Sequence, residues 1–229
     1  MSALLRDWDS FDVYLFDIDG TLLHCSDAVH YFAFCNTLES IAARPLTLEG
    51  VTAHGNTDVG ILRDALTLAG VPEEAWRPRM PAIREGMCRY VEDRSNDVCV
   101  SVMPQVHEVL QHLARRGAIL GVATGNLRRI GTIKLQRANL LQYFNFAGWS
   151  DDFEFRSDVI ASAVAGAREV AGEHAAICVV GDTPADVMAA HSNSLPAIAV
   201  ATGIYPFEEL QRATPDLCIH SFADLLCAV

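Results

Sequence analysis

The chain has 229 residues, 51% of them hydrophobic, with 17 Lys and Arg against 29 Asp and Glu and a formal net charge of −12. That length fits one large domain or a domain with a sizeable insertion, and that hydrophobicity excludes a chain too polar to pack a core. A nucleic-acid binder needs a basic face, which no run of Lys and Arg supplies, and no apolar run approaches the ~18 residues of a membrane span.

The first residues, "MSALLRDWDSFD", lack a basic stretch followed by an apolar core, so no signal peptide is expected and a cytoplasmic location is. Seven cysteines (25, 35, 88, 99, 178, 218, 227) are scattered with no C-x-x-C pair. They read as reduced, mostly buried thiols and not as a disulfide framework or a zinc site. No repeat, low-complexity tract or protein partner is implied, which leaves an enzyme or binding domain acting on something small.

In chain order, "VYLF" (13–16) predicts a buried strand, and it runs into Asp17-Ile18-Asp19-Gly20-Thr21. From Leu23 to about Val100 no convincing strand is expected. Amphipathic segments fill that interval, "DVGILRDALTLAG" (58–70) and "MPAIREGMCRYVEDR" (80–94), the second with Met80, Ile83, Met87 and Tyr90 on one helical stripe. Beyond it, "MPQVHEVLQHLARRG" predicts a helix stopped by Gly117, and "AILGVAT" (118–124) a strand. "NLRRIGTIKLQRANL" then places Leu127, Ile130 and Ile133 on one helical face, and a short strand is expected near "FNFAG" (144–148). "DVIASAVAGAREVAG" predicts a helix with Asp158 as its N-cap and Gly172 as its stop. Strands follow at "AAICVV" (175–180), "PAIAVA" (196–201) and "LCI" (217–219). Alternating strands and helices with continuous apolar strands indicate an α/β fold, a doubly wound, mostly parallel Rossmann-like sheet. The expected domains are an α/β core of residues 1–23 and 98–229 and an all-helical cap of residues 24–97 inserted after the first strand. A cap suits that place because ligands of open α/β sheets sit beyond the carboxyl ends of the strands.

Asp19-Gly20 alone also fits a hairpin turn, and a calcium loop would need its glycine two places later. Two other strands decide against both, because they too end in polar groups: Thr124-Gly125-Asn126, and Gly181-Asp182-Thr183-Pro184-Ala185-Asp186. In a parallel sheet these ends are neighbours. Four carboxylates at one edge call for a cation, since two charges ~4 Å apart repel by ~4 kcal/mol at an effective dielectric of 20. Oxygen ligands without His or Cys suit Mg²⁺. Thr124 offers a hydroxyl and Gly125 a backbone N–H to a phosphate, at the start of a helix whose positive end favours an anion. Asp17 is placed as a carboxylate nucleophile and Asp19 as an acid and base.

"DIDGTLL", "VATGN" and "GDTPAD" resemble the first, second and fourth motifs of the haloacid dehalogenase-like superfamily, close to its phosphoglycolate phosphatase-like and β-phosphoglucomutase-like branch with a helical cap. The resemblance spans essentially the whole chain. It implies Mg²⁺ held by Asp17, the Asp19 carbonyl and Asp182, with Asp186 behind the metal ligands, and phosphate held by Thr124, Gly125, Asn126 and nearby amides. It also implies a phosphomonoester hydrolase for a small phosphoglycolate-like or sugar phosphate, working through an aspartyl-phosphate. The alternatives are a phosphomutase and a phosphate-binding module with little turnover. The superfamily's third motif is usually Lys-Pro; here Arg156 stands at that position, with Lys134 as rival, although Lys134 is read as a solvated helix face.

"HGNTD" (54–58) reads either as a substrate-lining loop or as a helix N-cap at Thr57 or Asp58. The eight histidines read as surface or core side chains, and Arg63, Arg84 and Arg89 as solvated helix faces.

Overall fold

A single buried strand organises residues 7–227, the part of the chain that the computed structural model describes. Residues 1–6 and 228–229, which on sequence belong to the α/β core, lie outside the described residues. Strand β1 (Val13–Phe16) is buried throughout. Next along the chain come β2 (Leu23–Cys25) and β3 (Val100–Val102), then β4 (Ile119–Ala123), β5 (Phe146–Gly148), β6 (Ile177–Gly181), β7 (Ala197–Val200) and β8 (Leu217–Ile219). Six of these form a parallel sheet in the order β5-β4-β1-β6-β7-β8, with β1 inside. The chain leaves β1 to one side and returns past it to the other, so β1 sits where the winding reverses, the usual place for a ligand crevice.

The helices are α1 (Val29–Ala42), α2 (Asp58–Leu68), α3 (Glu73–Trp76), α4 (Met80–Asp93), α5 (Val106–Arg115), α6 (Arg128–Arg137), α7 (Arg156–Ala171), α8 (Pro184–Ser192), α9 (Phe207–Arg212) and α10 (Ala223–Leu226). Side chains alternate across a strand, and β1 shows the consequence. Tyr14 and Phe16 join Val109, Leu110 and Leu113 of α5 in one cluster. Val13 and Leu15 join Ile160 and Ala163 of α7 and Val187 of α8 in another. Both faces of the sheet are covered, which explains strands written as unbroken apolar runs.

Between β2 and β3 the helices α1, α2 and α4 make a third cluster around Phe34, Leu62, Leu66 and Met87, closed against the core by Leu127 and Ile130. The expected stripe on 80–94 holds: Ile83 and Met87 are buried, and Met80 and Tyr90 pack beside them.

Three local expectations are corrected. The interval after β1 is not free of strand, because Leu23–Cys25 and Val100–Val102 pair antiparallel as a two-stranded ribbon at the stem of the insertion; three residues are too few to show a period of two. Helix α7 starts at Arg156 after Phe155, so Asp158 lies in its first turn and is no N-cap, where its charge still suits the positive end of the helix. Helix α1 is an addition, since aromatic residues on several of its faces blur any stripe: Phe34 is buried while Tyr31 and Phe32 are exposed.

Candidate active site

The register of the sheet brings the three polar strand ends together. Phe16 is level with Val122 of β4 and with Val180 of β6, so Asp17, the 124–126 turn and Asp182 leave the sheet side by side. They open into a cavity of about 550 Å³. Asp17, Asp19, Thr124, Gly125, Asn126, Arg156 and Asp182 all line it, and Asp186, not itself among the lining residues, is buried against Arg156.

Asp17, Asp182 and Asp186 each present an oxygen within 4.8 Å of the others. Arg156 lies among them. Its Nη2 donates to Asp17 Oδ1 at 2.6 Å and to the Ala123 carbonyl at 3.0 Å, and its Nε donates to Asp186 Oδ1 at 2.9 Å. One cation does not satisfy three buried acids. Burial pushes Asp17 up to about 6 against the pull of Arg156, and burial with the neighbouring Asp17 and Asp186 raises Asp182 well above the usual carboxylate range.

The donor set fits a hard divalent cation. Asp17 and Asp182 each keep an oxygen outside the hydrogen bonds just described, with Asp182 Oδ1 taking the Thr21 hydroxyl at 2.9 Å. Asp186 is committed on both sides: Oδ1 to Arg156, and Oδ2 to the backbone N–H and hydroxyl of Thr183, in a capping box that starts α8. Oxygen donors without His or Cys are the Mg²⁺ pattern, and a cation there relieves the repulsion that lifts Asp17 and Asp182. The backbone is cut close around Asp182. A Cβ on Gly20, whose φ is +86°, would stand 2.2 Å from Asp182 Oδ2, and one on Gly203 1.8 Å away.

Asp19 has its own cation, and here the sequence expectation fails. Lys134 is buried, not solvated. Its ammonium donates to Asp19 Oδ1 at 2.9 Å and Oδ2 at 2.7 Å, to Asn126 Oδ1 at 2.7 Å, and to His30 Nδ1 at 3.1 Å. Asn126 Nδ2 adds bonds of 2.8 Å to Asp19 Oδ2 and to Thr124 Oγ1. Although burial works against its charge, Lys134 and Asn126 hold the Asp19 carboxyl down at about 2. The two cations thus pair with different acids, Arg156 with Asp17 and Asp186, and Lys134 with Asp19.

The start of the helix after Asn126 also differs from expectation. Leu127 N–H donates to Asp58 Oδ2 and Arg128 N–H to Asp151 Oδ2, both at 2.8 Å, so two carboxylates already occupy the positive end of α6. Gly125 also meets the insertion closely: a Cβ there would stand 2.1 Å from the Asn56 carbonyl oxygen. "HGNTD" combines a helix cap with a position on the cavity. Thr57 caps α2 by accepting from Gly60 N–H at 2.9 Å, while His54, Gly55, Asn56 and Asp58 line the cavity.

Of the histidines expected at the surface or in the core, His24 and His54 are exposed and His30 is half-buried, and all three also line the cavity. Arg63, Arg84 and Arg89 stay outside it, paired with Asp64 and Glu154, with Asp152 and with Glu85. The loop after β7 was missed: Thr202 Oγ1 donates to the Gly20 carbonyl at 2.7 Å, and Gly203 and Ile204 line the cavity. Its signal was available, since "PAIAVA" is one more strand ending at the same edge.

The chain is 29% identical over 221 residues to a phosphoglycolate phosphatase of Agrobacterium fabrum, covering 94% of this chain and 91% of that one. It is 26% identical over 220 residues to the pyrophosphatase PpaX of Anoxybacillus flavithermus, covering 95% and 96%. The structure of a hydrolase from Pseudomonas syringae superposes with a TM-score of 0.68 at 22% identity, over 94% of this chain and 96% of that one, and shares the fold. The family model for haloacid dehalogenase-like hydrolases matches residues 14–200, and the chain belongs to that family.

Proposed function

We propose that the protein is a Mg²⁺-dependent phosphatase that passes the phosphoryl group of a small phosphorylated metabolite to Asp17 and then to water. The observation that supports it most is the arrangement at the end of β1. There Asp17 holds Arg156 through Oδ1 at 2.6 Å, with an oxygen of Asp182 within 4.8 Å.

Asp17 attacks phosphorus through one carboxylate oxygen, leaving the other to the metal, and forms an aspartyl-phosphate as the P–O bond to the leaving group breaks, which splits one difficult displacement into two easier ones. Arg156 offsets the repulsion between that carboxylate and an incoming phosphate dianion. Thr124, Gly125 and Asn126 bind the phosphate oxygens at the neighbouring strand end. Asp17, Asp182 and the Asp19 carbonyl would hold the Mg²⁺, with Asp186 fixing Arg156 and the first turn of α8. Bound there, Mg²⁺ supplies positive charge against the phosphoryl oxygens. Asp19 acts on protons. Held ionised by Lys134, it is ready to take a proton from the attacking water in the second step. To protonate the leaving oxygen in the first, it must take up a proton against the ammonium beside it.

Residues 24–97 act as a cap, with the stem ribbon as the place where they join the core. Arg63, Arg77 and Arg84 of the insertion pair with Glu154 and Asp152 of the core, contacts that a closing cap would make and break.

A phosphate-release screen across small phosphomonoesters, with Mg²⁺ and with chelator, tests this reading. Release that needs Mg²⁺ and vanishes in Asp17→Asn is expected; Mg²⁺-dependent binding without release would mark a sensing module instead.

A further inference from the structure

The rest of the cavity lining is unlike the aspartate edge. Tyr31, Phe34, Leu48, Ile61, Met103 and Ile204 contribute apolar surface to a space of about 550 Å³. That volume lies within the range of small-molecule sites and far exceeds the needs of a two-carbon acid.

The charges on this wall are equally informative. Among the described residues, the lining side chains of fixed positive charge are Lys134 and Arg156, and each is already bonded to aspartates. His30 brings no fixed charge: its Nδ1 accepts from the Lys134 ammonium, and its buried Nε2, 3.2 Å from Asp58 Oδ2, makes no hydrogen bond. Asp58 adds a buried negative charge to the wall. His24 and His54 are exposed, where water competes for any anion they attract. A substrate carrying a second anionic group would bury it against apolar side chains and a carboxylate, with no free cation to receive it.

On the phosphatase reading of this site, we infer that the substrate is a phosphomonoester whose alcohol part is uncharged and presents an apolar face to the wall around Tyr31 and Leu48. Carboxylate-bearing phosphoglycolate and pyrophosphate, named for the relatives, are then poor substrates here.

The test compares kcat/KM for matched pairs in the presence of Mg²⁺. Glycerol 3-phosphate and 3-phosphoglycerate differ only by a hydroxymethyl against a carboxylate, and benzyl and methyl phosphate differ in apolar area. At least a tenfold preference for the uncharged member and for the benzyl ester is expected. Equal or better turnover of 3-phosphoglycerate or phosphoglycolate overturns the inference. Tyr31→Arg, a change at an exposed position on the wall, should narrow the carboxylate gap at least threefold; an unchanged gap means that charge is not what excludes the acid, and also overturns it. Calorimetry with benzylphosphonate and phosphonoacetate reads the same preference without turnover. Tighter binding of benzylphosphonate with no phosphate released from any ester removes the phosphatase reading alone and upholds the wall's preference. Tighter binding of phosphonoacetate, or binding of neither, removes the inference.

Discussion

Arg156 and Asp17 are 139 residues apart in the chain and 2.6 Å apart in space, and the same guanidinium reaches Asp186 at 2.9 Å through its Nε. A planar fork holding two carboxylates at once is geometry that a lysine ammonium cannot copy. Arg156→Ala should therefore lower kcat/KM by roughly a hundred- to a thousandfold, the ~3–4 kcal/mol scale of one preorganised electrostatic partner. Arg156→Lys should recover part of this by reaching Asp17 while losing Asp186. Steady-state kinetics of the two variants decide it, and a silent Arg156→Ala would remove the assignment.

Asp17→Asn keeps the shape and removes the nucleophile. No phosphoenzyme should form in the variant. Rapid acid quench and mass spectrometry of wild-type protein with substrate should show one added phosphoryl group on the peptide containing Asp17. A label on any other residue contradicts the proposed first step.

The buried acids make metal-free stability depend on pH. Asp17 has its pKa raised from 3.8 to about 6 by burial, and Asp182 is raised in the same direction. Between pH 4 and 6 the folded state thus binds more protons than the unfolded state, so stability falls as pH rises through this window. For Asp17 alone the loss is on the order of 3 kcal/mol by pH 7.5. In chelator the protein should melt higher at pH 5 than at pH 7.5. Added Mg²⁺ should raise Tm mainly at the higher pH, because it binds the ionised acids. A Tm in chelator that climbs from pH 5 to 7.5 would contradict the crowding of these carboxylates.

Lys134 acts through Asp19. Lys134→Met fills similar space without charge and leaves Asn126 Oδ1 and Asp19 Oδ1 without their donor, so the fold should lose on the order of 2 kcal/mol. The Asp19 carboxyl, now held at about 2 mainly by that ammonium, should rise. The acidic limb of the pH profile for phosphoenzyme hydrolysis should then move to higher pH. Single-turnover rates across pH measure this, and an unmoved limb would separate Lys134 from the proton chemistry.

Gly125→Ala tests how closely the insertion meets the core. The added methyl would fall 2.1 Å from the Asn56 carbonyl oxygen, a backbone atom that cannot swing aside. The variant should bind substrate more weakly, with KM raised more than kcat is lowered, as the 54–58 loop is pushed off the 124–126 turn. Normal KM with normal Tm would show that this loop moves freely.

By itself the sequence determined the sheet and the edge at which the chemistry gathers. Unbroken apolar runs such as "VYLF" and "AAICVV" mean strands covered on both faces, and parallel strands align their carboxyl ends, so Asp17, Thr124 and Asp182 had to meet whatever lay between them. Local chemistry also marked Gly172 as a stop and offered Thr57 or Asp58 as a cap, of which Thr57 is the one used. Which cation neutralises which aspartate was decided only by the tertiary structure. Lys134 looks like any polar residue on an amphipathic helix until α6 is docked, and docking turns it onto Asp19 and away from water. The same holds for the occupied start of α6, where Asp58 and Asp151 take the N–H groups from 69 and 23 residues away. Hydrophobic periodicity is written over a few consecutive residues, so it is legible in one dimension. Ion pairs and cavity walls join residues distant in sequence, and their strength depends on burial, which exists only once the chain has packed.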